Sequence, residues 1–162
     1  MIITVTMNPA IDKTVEVDKL HVGAINRLLK VEIDVGGKGI NVSKTISYLG
    51  GSTVASGFLA GNSGSMIENA LKRYRVKSDF IYVDGETRTN LKLVESSGAL
   101  TELNEPGPVV SKGDMEMLAR KLQDYPCADT LFVFAGSASP GVEPEEFRKL
   151  IRLVKQKGGK VF

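Results

Sequence analysis

The loop Gly36-Gly-Lys-Gly-Ile-Asn41 concentrates three glycines, a lysine and an asparagine in six residues, directly before a predicted helix. Glycines let the backbone come close to a ligand, and the free N–H groups at a helix N-terminus bind anions. Lys38 adds a positive charge, and Asn41 adds an amide on the first helical turn. The loop therefore suits a phosphorylated small molecule. Its spacing matches neither the G-x-x-x-x-G-K-[ST] nor the G-x-G-x-x-G nucleotide motif, and the alternative is a tight turn with a solvated lysine.

Four further side chains could contact the same ligand. Asp12 follows the first predicted strand, at the end where open α/β sheets bind ligands, and its carboxylate can accept hydrogen bonds from sugar hydroxyls. Arg88 offers a planar fork of donors for phosphate, and Arg27 offers a second one. Ser137 lies in a loop of small residues after an apolar strand. The alternatives are a turn aspartate bonded to its own backbone, exposed arginines and a plain connector.

The 162-residue chain has the composition of an ordinary globular domain, with 42% hydrophobic and 25% charged residues. The net charge is only +2, and the basic residues form no stripe, which argues against a nucleic-acid partner. No apolar run approaches the roughly 20 residues that span a bilayer, and the first residues lack a signal-peptide pattern. The single cysteine, Cys127, excludes an intrachain disulfide and is expected to be a small buried side chain. We therefore expect a cytoplasmic protein that does not enter membranes.

Other chemistries find little support in the sequence. His21 is the single histidine, and no group of histidines and cysteines has the spacing of metal ligands. A nucleophile-elbow motif is also missing, so the residues of a Ser-His-Asp triad are not predicted. The sequence therefore predicts neither a metal site nor nucleophilic catalysis within these residues.

The hydrophobic pattern predicts alternating strands and helices separated by glycine-rich turns. The predicted strands are 2–7, 14–17, 28–33, 53–59, 80–83, 89–95, 100–103, 130–135 and 160–162, and the predicted helices are 40–49, 65–74, 114–123 and 144–157. This order favours an α/β fold with a mostly parallel sheet flanked by helices. The last strand begins only at residue 160, so we expect the C-terminal half of the domain to be absent from this sequence.

Two stretches, 13–33 and 88–103, fit poorly in a parallel sheet. Both alternate polar and apolar residues, as strands with one solvent-exposed face do. We predict that they form a small β-sheet lid over the ligand-binding end. The α/β core would then comprise residues 1–12, 34–87 and 104–162.

Taken in order, the motifs resemble those of the ribokinase-like (PfkB) carbohydrate kinase family from Met1 to Phe162. The segments that carry the resemblance are Thr4-Val-Thr-Met-Asn-Pro-Ala-Ile-Asp12, Gly36-Gly-Lys-Gly-Ile-Asn-Val-Ser43, Thr87-Arg-Thr-Asn-Leu-Lys92, Thr101-Glu-Leu-Asn104 and Gly136-Ser-Ala-Ser-Pro-Gly141. Within the family, the sequence is most similar to the kinases that act on fructose 1-phosphate, with the tagatose 6-phosphate kinases close behind. The combination is specific, whereas each segment alone is not.

The resemblance implies that ATP, with Mg²⁺, phosphorylates the 6-hydroxyl of fructose 1-phosphate to give fructose 1,6-bisphosphate. The roles that it implies are sugar-hydroxyl binding by Asp12, lining of the sugar site by Gly37 and Asn41, phosphate binding by Lys38, Arg88 and Arg27, and a substrate contact by Ser137. It also implies a homodimer formed through the lid.

The same resemblance locates the catalytic machinery elsewhere. The family's G-A-G-D segment supplies the catalytic base and an anion hole, and residues 1–162 contain no match to it. We therefore predict no catalytic residue in this chain and no turnover by the chain alone, with the ATP and Mg²⁺ sites mainly in the missing half. The alternatives are a kinase of the same fold for tagatose 6-phosphate or a nucleoside, and a non-catalytic module that binds sugar phosphates.

Overall fold

The computed structural model describes residues 1–162 apart from the side chain of Cys127, so the expected burial of that side chain lies outside the described part. The elements follow one another as β1 (Ile2–Thr6), β2 (Ala10–Val17), β3 (Lys30–Gly36), α1 (Lys38–Tyr48), β4 (Val54–Leu59), α2 (Gly61–Arg73), β5 (Lys77–Tyr82), β6 (Arg88–Glu95), β7 (Leu100–Asn104), α3 (Lys112–Gln123), a 3-10 turn (Cys127–Asp129), β8 (Leu131–Phe134), α4 (Pro144–Gln156) and β9 (Lys160–Val161).

A five-stranded sheet of order β5-β4-β1-β8-β9 forms the centre of the molecule, and all of its strand pairs are parallel. Its middle strands β1 and β4 are almost wholly buried, because helices cover both faces of a parallel sheet. On one face, Ile3 and Val5 pack in a core with Leu118 of α3 and Leu150 of α4. The predicted α/β fold with a mostly parallel sheet flanked by helices is confirmed.

The other face of this sheet packs against α1 and α2. Its core includes Ile40 of α1, Leu59 of β4 and Ile67 of α2. Two threonines of β1 lie on this side, and the Thr4 hydroxyl is 2.7 Å from the Ser43 hydroxyl of α1. This hydrogen bond links α1 directly to β1, and it therefore helps to set where the N-terminus of α1 lies relative to that strand.

The two predicted strand pairs form one separate four-stranded sheet of order β3-β2-β6-β7, which we call the lid sheet. Strands β2 and β6 are parallel, whereas β2–β3 and β6–β7 are antiparallel. Side chains alternate between the faces of a strand, so this register decides which residues of different strands share a face. The division of the chain into a core and a lid remains a prediction.

Two elements begin four residues earlier than the sequence pattern predicts. Strand β2 starts at Ala10 rather than at residue 14, directly after Pro9, because Ala10 pairs with both Gly36 and Arg88. Helix α2 starts at Gly61 rather than at residue 65. Its first N–H groups are satisfied by the Glu86 carboxylate, which lies 24 residues away from Asn62, so only the folded chain supplies this cap.

None of the helices in the described part of the chain is both long and apolar enough to cross a membrane.

Candidate ligand-binding site

The carboxyl ends of β1 and β8 meet at one edge of the parallel sheet. Asn8 follows β1 and is 4% exposed. Its Nδ2 donates to the Pro106 carbonyl at 2.9 Å and to the Ala138 carbonyl at 3.3 Å. The Ser139 hydroxyl donates to the Met7 carbonyl at 2.7 Å. These bonds hold the loop after β8 against the end of β1, where an open α/β sheet binds its ligand.

Arg88 joins three segments of the chain at this edge. It begins β6, and its Nη2 donates to the Asn8 carbonyl at 3.1 Å and to the Ser137 hydroxyl at 3.3 Å. Its Nε is buried and has no hydrogen-bond partner in the described part of the chain. Burial lowers the pKa of Arg88, and the charge of Asp12 partly opposes this shift. A guanidinium stays charged in proteins, so Arg88 supplies a fixed positive charge at this edge, with one donor that the described residues leave without a partner.

Asp12 lies on the lid-sheet face that turns toward the same edge. It pairs with Asp34 of β3 and with Asn90 of β6, so the three side chains form a row on one face. The Asn90 Nδ2 donates to the Asp12 Oδ1 at 3.1 Å, which leaves the second carboxylate oxygen for a ligand. Position 36 is next to this carboxylate, and a Cβ there would overlap the Asp12 side chain.

Helix α1 points its N-terminus at the edge. Its N-cap residue Gly37 has φ of +116° and ψ of 135° and makes no side-chain capping bond, so the first N–H groups remain available to an anion. A larger residue would be strained there, since a Cβ would lie 2.9 Å from the Thr6 Cγ2. Lys38 and Asn41 are both exposed on the first turn. Gly136, in the loop after β8, lies against Lys38, because its Cβ position is 3.8 Å from the Lys38 Cβ.

We call this arrangement the binding edge, and it comprises Asn8, Asp12, Gly37, Lys38, Asn41, Arg88, Asn90 and Ser137. Of the residues predicted from the sequence, six lie in it. Sequence reasoning missed Asn8 and Asn90. Both had a signal: Asn8 follows the first strand beside Pro9, and Asn90 is two residues after Arg88 and so shares its strand face.

Arg27 lies away from the binding edge within this chain. It is exposed in the loop that joins β2 to β3. The Glu16–Lys30 pair closes that end of the two strands, whereas the Ala10–Gly36 pair closes the end at the binding edge. Six strand steps separate the two ends, which is about 20 Å at roughly 3.3 Å per residue. Its predicted contact with substrate phosphate therefore stays a prediction.

The described residues contain no group of three or more histidine, cysteine, aspartate or glutamate side chains that could hold a metal ion. The binding edge instead combines two cations and a helix N-terminus with one carboxylate and three amides. Such a set can hold a phosphate group at its basic side, and it can hold hydroxyl groups at Asp12 and Asn90.

Comparison with known proteins identifies a family for nearly the whole chain. Residues 5–162 match the model of the pfkB family carbohydrate kinases. A 1-phosphofructokinase of Vibrio cholerae is 36% identical over 144 residues, which is 89% of this chain and 45% of the relative. A tagatose-6-phosphate kinase of Staphylococcus epidermidis is 32% identical over 158 residues, which is 98% of this chain and 51% of the relative. The chain thus spans about half the length of the curated relatives it matches.

Solved structures agree on the fold. Phosphofructokinase-2 of Escherichia coli in complex with fructose-6-phosphate superposes with a TM-score of 0.92 at 25% identity, covering 99% of this chain and 53% of that one. The tetrameric inhibited form of the same enzyme gives a TM-score of 0.91 at 27% identity, covering 99% of this chain and 52% of that one.

Proposed function

We propose, because this chain belongs to the pfkB family of carbohydrate kinases, that its binding edge holds the sugar phosphate of a kinase reaction. The proposed substrate is fructose 1-phosphate, and the proposed reaction transfers the γ-phosphoryl group of ATP to its 6-hydroxyl. The observation that carries the proposal is the guanidinium of Arg88. Its Nη2 is tied to Asn8 and Ser137, and its Nε has no partner among the described residues.

Charge decides how the substrate would lie. Lys38, Arg88 and the free N–H groups of α1 form the positive side of the binding edge, so the substrate phosphate belongs there. The Asp12 carboxylate forms the negative side and accepts hydrogen bonds from sugar hydroxyls. Gly37 and Asn41 line the ring between the two sides, and the Ser137 hydroxyl contacts substrate beside Arg88. Holding both ends of the sugar orients the reacting hydroxyl, and orientation is a large part of phosphoryl-transfer catalysis.

The nucleotide and its metal form the second part of the proposal. ATP with Mg²⁺ would supply the phosphoryl group and neutralise its charge. The described residues contain no acidic cluster for the metal, and the matched relatives are about twice as long as this chain. We therefore propose that the nucleotide site, the metal site and the catalytic base are contributed by residues outside this chain. The chain alone is then expected to bind sugar phosphate without turnover.

The test is a coupled assay on the full-length protein that contains this chain, with ATP and either fructose 1-phosphate or tagatose 6-phosphate. We expect a higher kcat/KM for fructose 1-phosphate. Arg88→Lys removes the planar fork but keeps the charge, and it should raise the KM for the sugar phosphate at least ten-fold with little change in the KM for ATP. Arg148→Lys, on the exposed surface of α4, is the matched control.

Three other outcomes would each contradict a different part of the proposal. A preference for tagatose 6-phosphate would overturn the substrate but keep the kinase. Saturable binding of either sugar phosphate without ATP turnover would indicate a non-catalytic binding module. Equal kinetics of Arg88→Lys and Arg148→Lys would remove Arg88 from the substrate site.

The lid sheet is also the proposed surface of a homodimer. Its face away from the binding edge presents Val31, Ile33 and Leu103, of which Ile33 is 57% and Leu103 60% exposed. Apolar patches of this kind are usually covered by a partner, and both outer strands of the sheet have an unpaired edge. Ile33→Glu should shift the full-length protein from dimer to monomer in sedimentation velocity. Met66→Glu, at an exposed position of α2, is the control and should not change the oligomeric state. A wild-type monomer would refute this proposal.

A further inference from the structure

A separate polar cavity lies beside the C-terminal half of α1. It has a volume of about 360 Å³ and is lined by Lys44, Ser47, Tyr48, Arg73, Tyr74 and Arg75. We call it the side pocket. It is formed by the C-terminal halves of α1 and α2 and the turn after α2, and it shares no residue with the binding edge.

The side pocket carries cations that the rest of the described chain does not neutralise. Arg73 and Arg75 are exposed, and neither forms an ion pair or a side-chain hydrogen bond within the described residues. Arg75 has φ of +56°, and no other described residue except glycine has a positive φ. Glycine would take this position after a helix without strain. The chain thus places an arginine at the pocket wall at a cost in backbone energy.

An exposed aromatic ring stands beside these cations. Tyr48 is 77% exposed, and its ring meets Tyr74 edge-to-face with 6.0 Å between the ring centroids. The ammonium of Lys44 lies 4.8 Å from the centroid of the Tyr74 ring. An open aromatic face next to unpaired guanidinium groups suits a ligand with a planar base and a phosphate, because bases stack on such rings and phosphates pair with arginine.

We propose that the side pocket binds a nucleoside monophosphate, with the base on Tyr48 and the phosphate between Arg73 and Arg75. The lysine at the pocket floor connects this site to the binding edge. The Lys44 side chain is only 11% exposed and donates to the Asp34 Oδ2 at 2.8 Å. It also donates to the Val35 carbonyl at 3.2 Å, so it holds the end of β3 against α1.

Occupancy of the side pocket should weaken sugar-phosphate binding through this lysine. Asp34 is the direct cross-strand partner of Asp12 on the lid sheet, and like charges at such positions repel each other. Lys44 offsets the charge of Asp34 in the structure. A bound phosphate that attracts Lys44 leaves two carboxylates facing the binding edge, which disfavours an anionic substrate there. The coupling is reciprocal, so bound sugar phosphate should lower the affinity for the nucleotide by the same factor.

The experiment uses AMP as the probe and the full-length protein, with binding measured by titration calorimetry. The double variant Arg73→Gln/Arg75→Gln should raise the Kd for AMP at least ten-fold. Tyr48→Ser should also raise the Kd for AMP, and because Tyr48 is exposed, this substitution should not impair folding. Lys72→Gln, whose ammonium bonds to Asn69 on the outer side of α2, is the matched control and should leave the Kd unchanged.

Two results would overturn the inference. If the Kd for AMP is unchanged in both the double variant and Tyr48→Ser, AMP binds elsewhere. If Arg88→Lys abolishes AMP binding, AMP also binds elsewhere. Saturating AMP should raise the Kd for fructose 1-phosphate at least three-fold in the wild type and not in the double variant, and an unchanged value in the wild type would refute the coupling. Only this last arm rests on the proposed function, so a failure of AMP binding and a failure of the substrate assignment remain distinguishable.

Discussion

Gly36→Ala is expected to displace the Asp12 carboxylate, which is proposed to bind the sugar, without disturbing the backbone. Gly36 is buried in β3, where it pairs with Ala10, and its φ lies outside the range that disfavours alanine. The new methyl group would, however, overlap the Asp12 carboxylate, whose Cγ lies 2.7 Å from the Cβ position. Asp12 must therefore rotate away and lose its hydrogen bond from Asn90.

The magnitude follows from the hydrogen bond that Asp12 is proposed to make with substrate. A hydrogen bond to a charged group contributes about 1.5–3 kcal/mol. If Asp12 no longer reaches the sugar hydroxyl, kcat/KM for the sugar phosphate should fall by roughly 10- to 150-fold, since 1.36 kcal/mol corresponds to a factor of ten. The KM for ATP should not change, because the methyl group contacts only the sugar side.

The assay is a coupled kinase measurement on the full-length protein, with the sugar phosphate varied at saturating ATP. Gly113→Ala is the matched control, because the Cβ position in α3 meets nothing closer than the Ser111 Oγ at 3.6 Å. It should leave the kinetics unchanged and stabilise the helix by about 0.5–1 kcal/mol. A folded Gly36→Ala protein with kcat/KM within two-fold of the wild type would refute the assignment of Asp12.

Three further predictions concern stability, and each is measured by urea unfolding of the full-length protein. Thr87→Val should lower the free energy of unfolding by about 1–3 kcal/mol, because the buried Ala60 N–H loses its 2.8 Å bond to the threonine hydroxyl; an unchanged value would refute this. Hydrogen bonds from Ser63 lower the pKa of Glu86 below its ordinary 4.5. The contribution of the Glu86 carboxylate to the free energy of unfolding is therefore present above that value and is lost as the pH falls through the lowered pKa. Between about pH 6 and about pH 3, the Glu86→Gln protein should lose less stability than the wild type. Leu118→Ala, at a buried position of α3 in the hydrophobic core, should lower the free energy of unfolding by about 2–5 kcal/mol. A variant as stable as the wild type would contradict the described packing.

The candidate site could be read from the sequence to the extent that its residues are local. Gly37, Lys38 and Asn41 belong to one strand-to-helix turn, so their spacing alone predicted a shared role. Asp12 and Ser137 each follow a predicted strand, and parallel strands bring their carboxyl ends to one edge. The structure places these residues together with Arg88.

Contacts between distant segments could not be derived from the pattern. Asn90 matters because strand β6 pairs with β2 in a register that sets it against Asp12, 78 residues away. Helix α2 begins at Gly61 because Glu86 caps it from another loop. Arg27 appeared close to Gly36 along the chain, yet the β2–β3 pairing carries it to the far end of the lid sheet.

The sequence by itself determined the order of strands and helices, the burial of both faces of the parallel sheet and the glycine-rich turn before α1. These depend on local spacing, on side-chain period and on the backbone freedom of glycine at Gly37. Only the tertiary structure decided the strand register, the Asp12–Asn90 pair and the link from Lys44 to Asp34. Register depends on hydrogen bonds between segments far apart in the chain, and a shift of one residue in a strand would turn its side chains to the other face of the sheet.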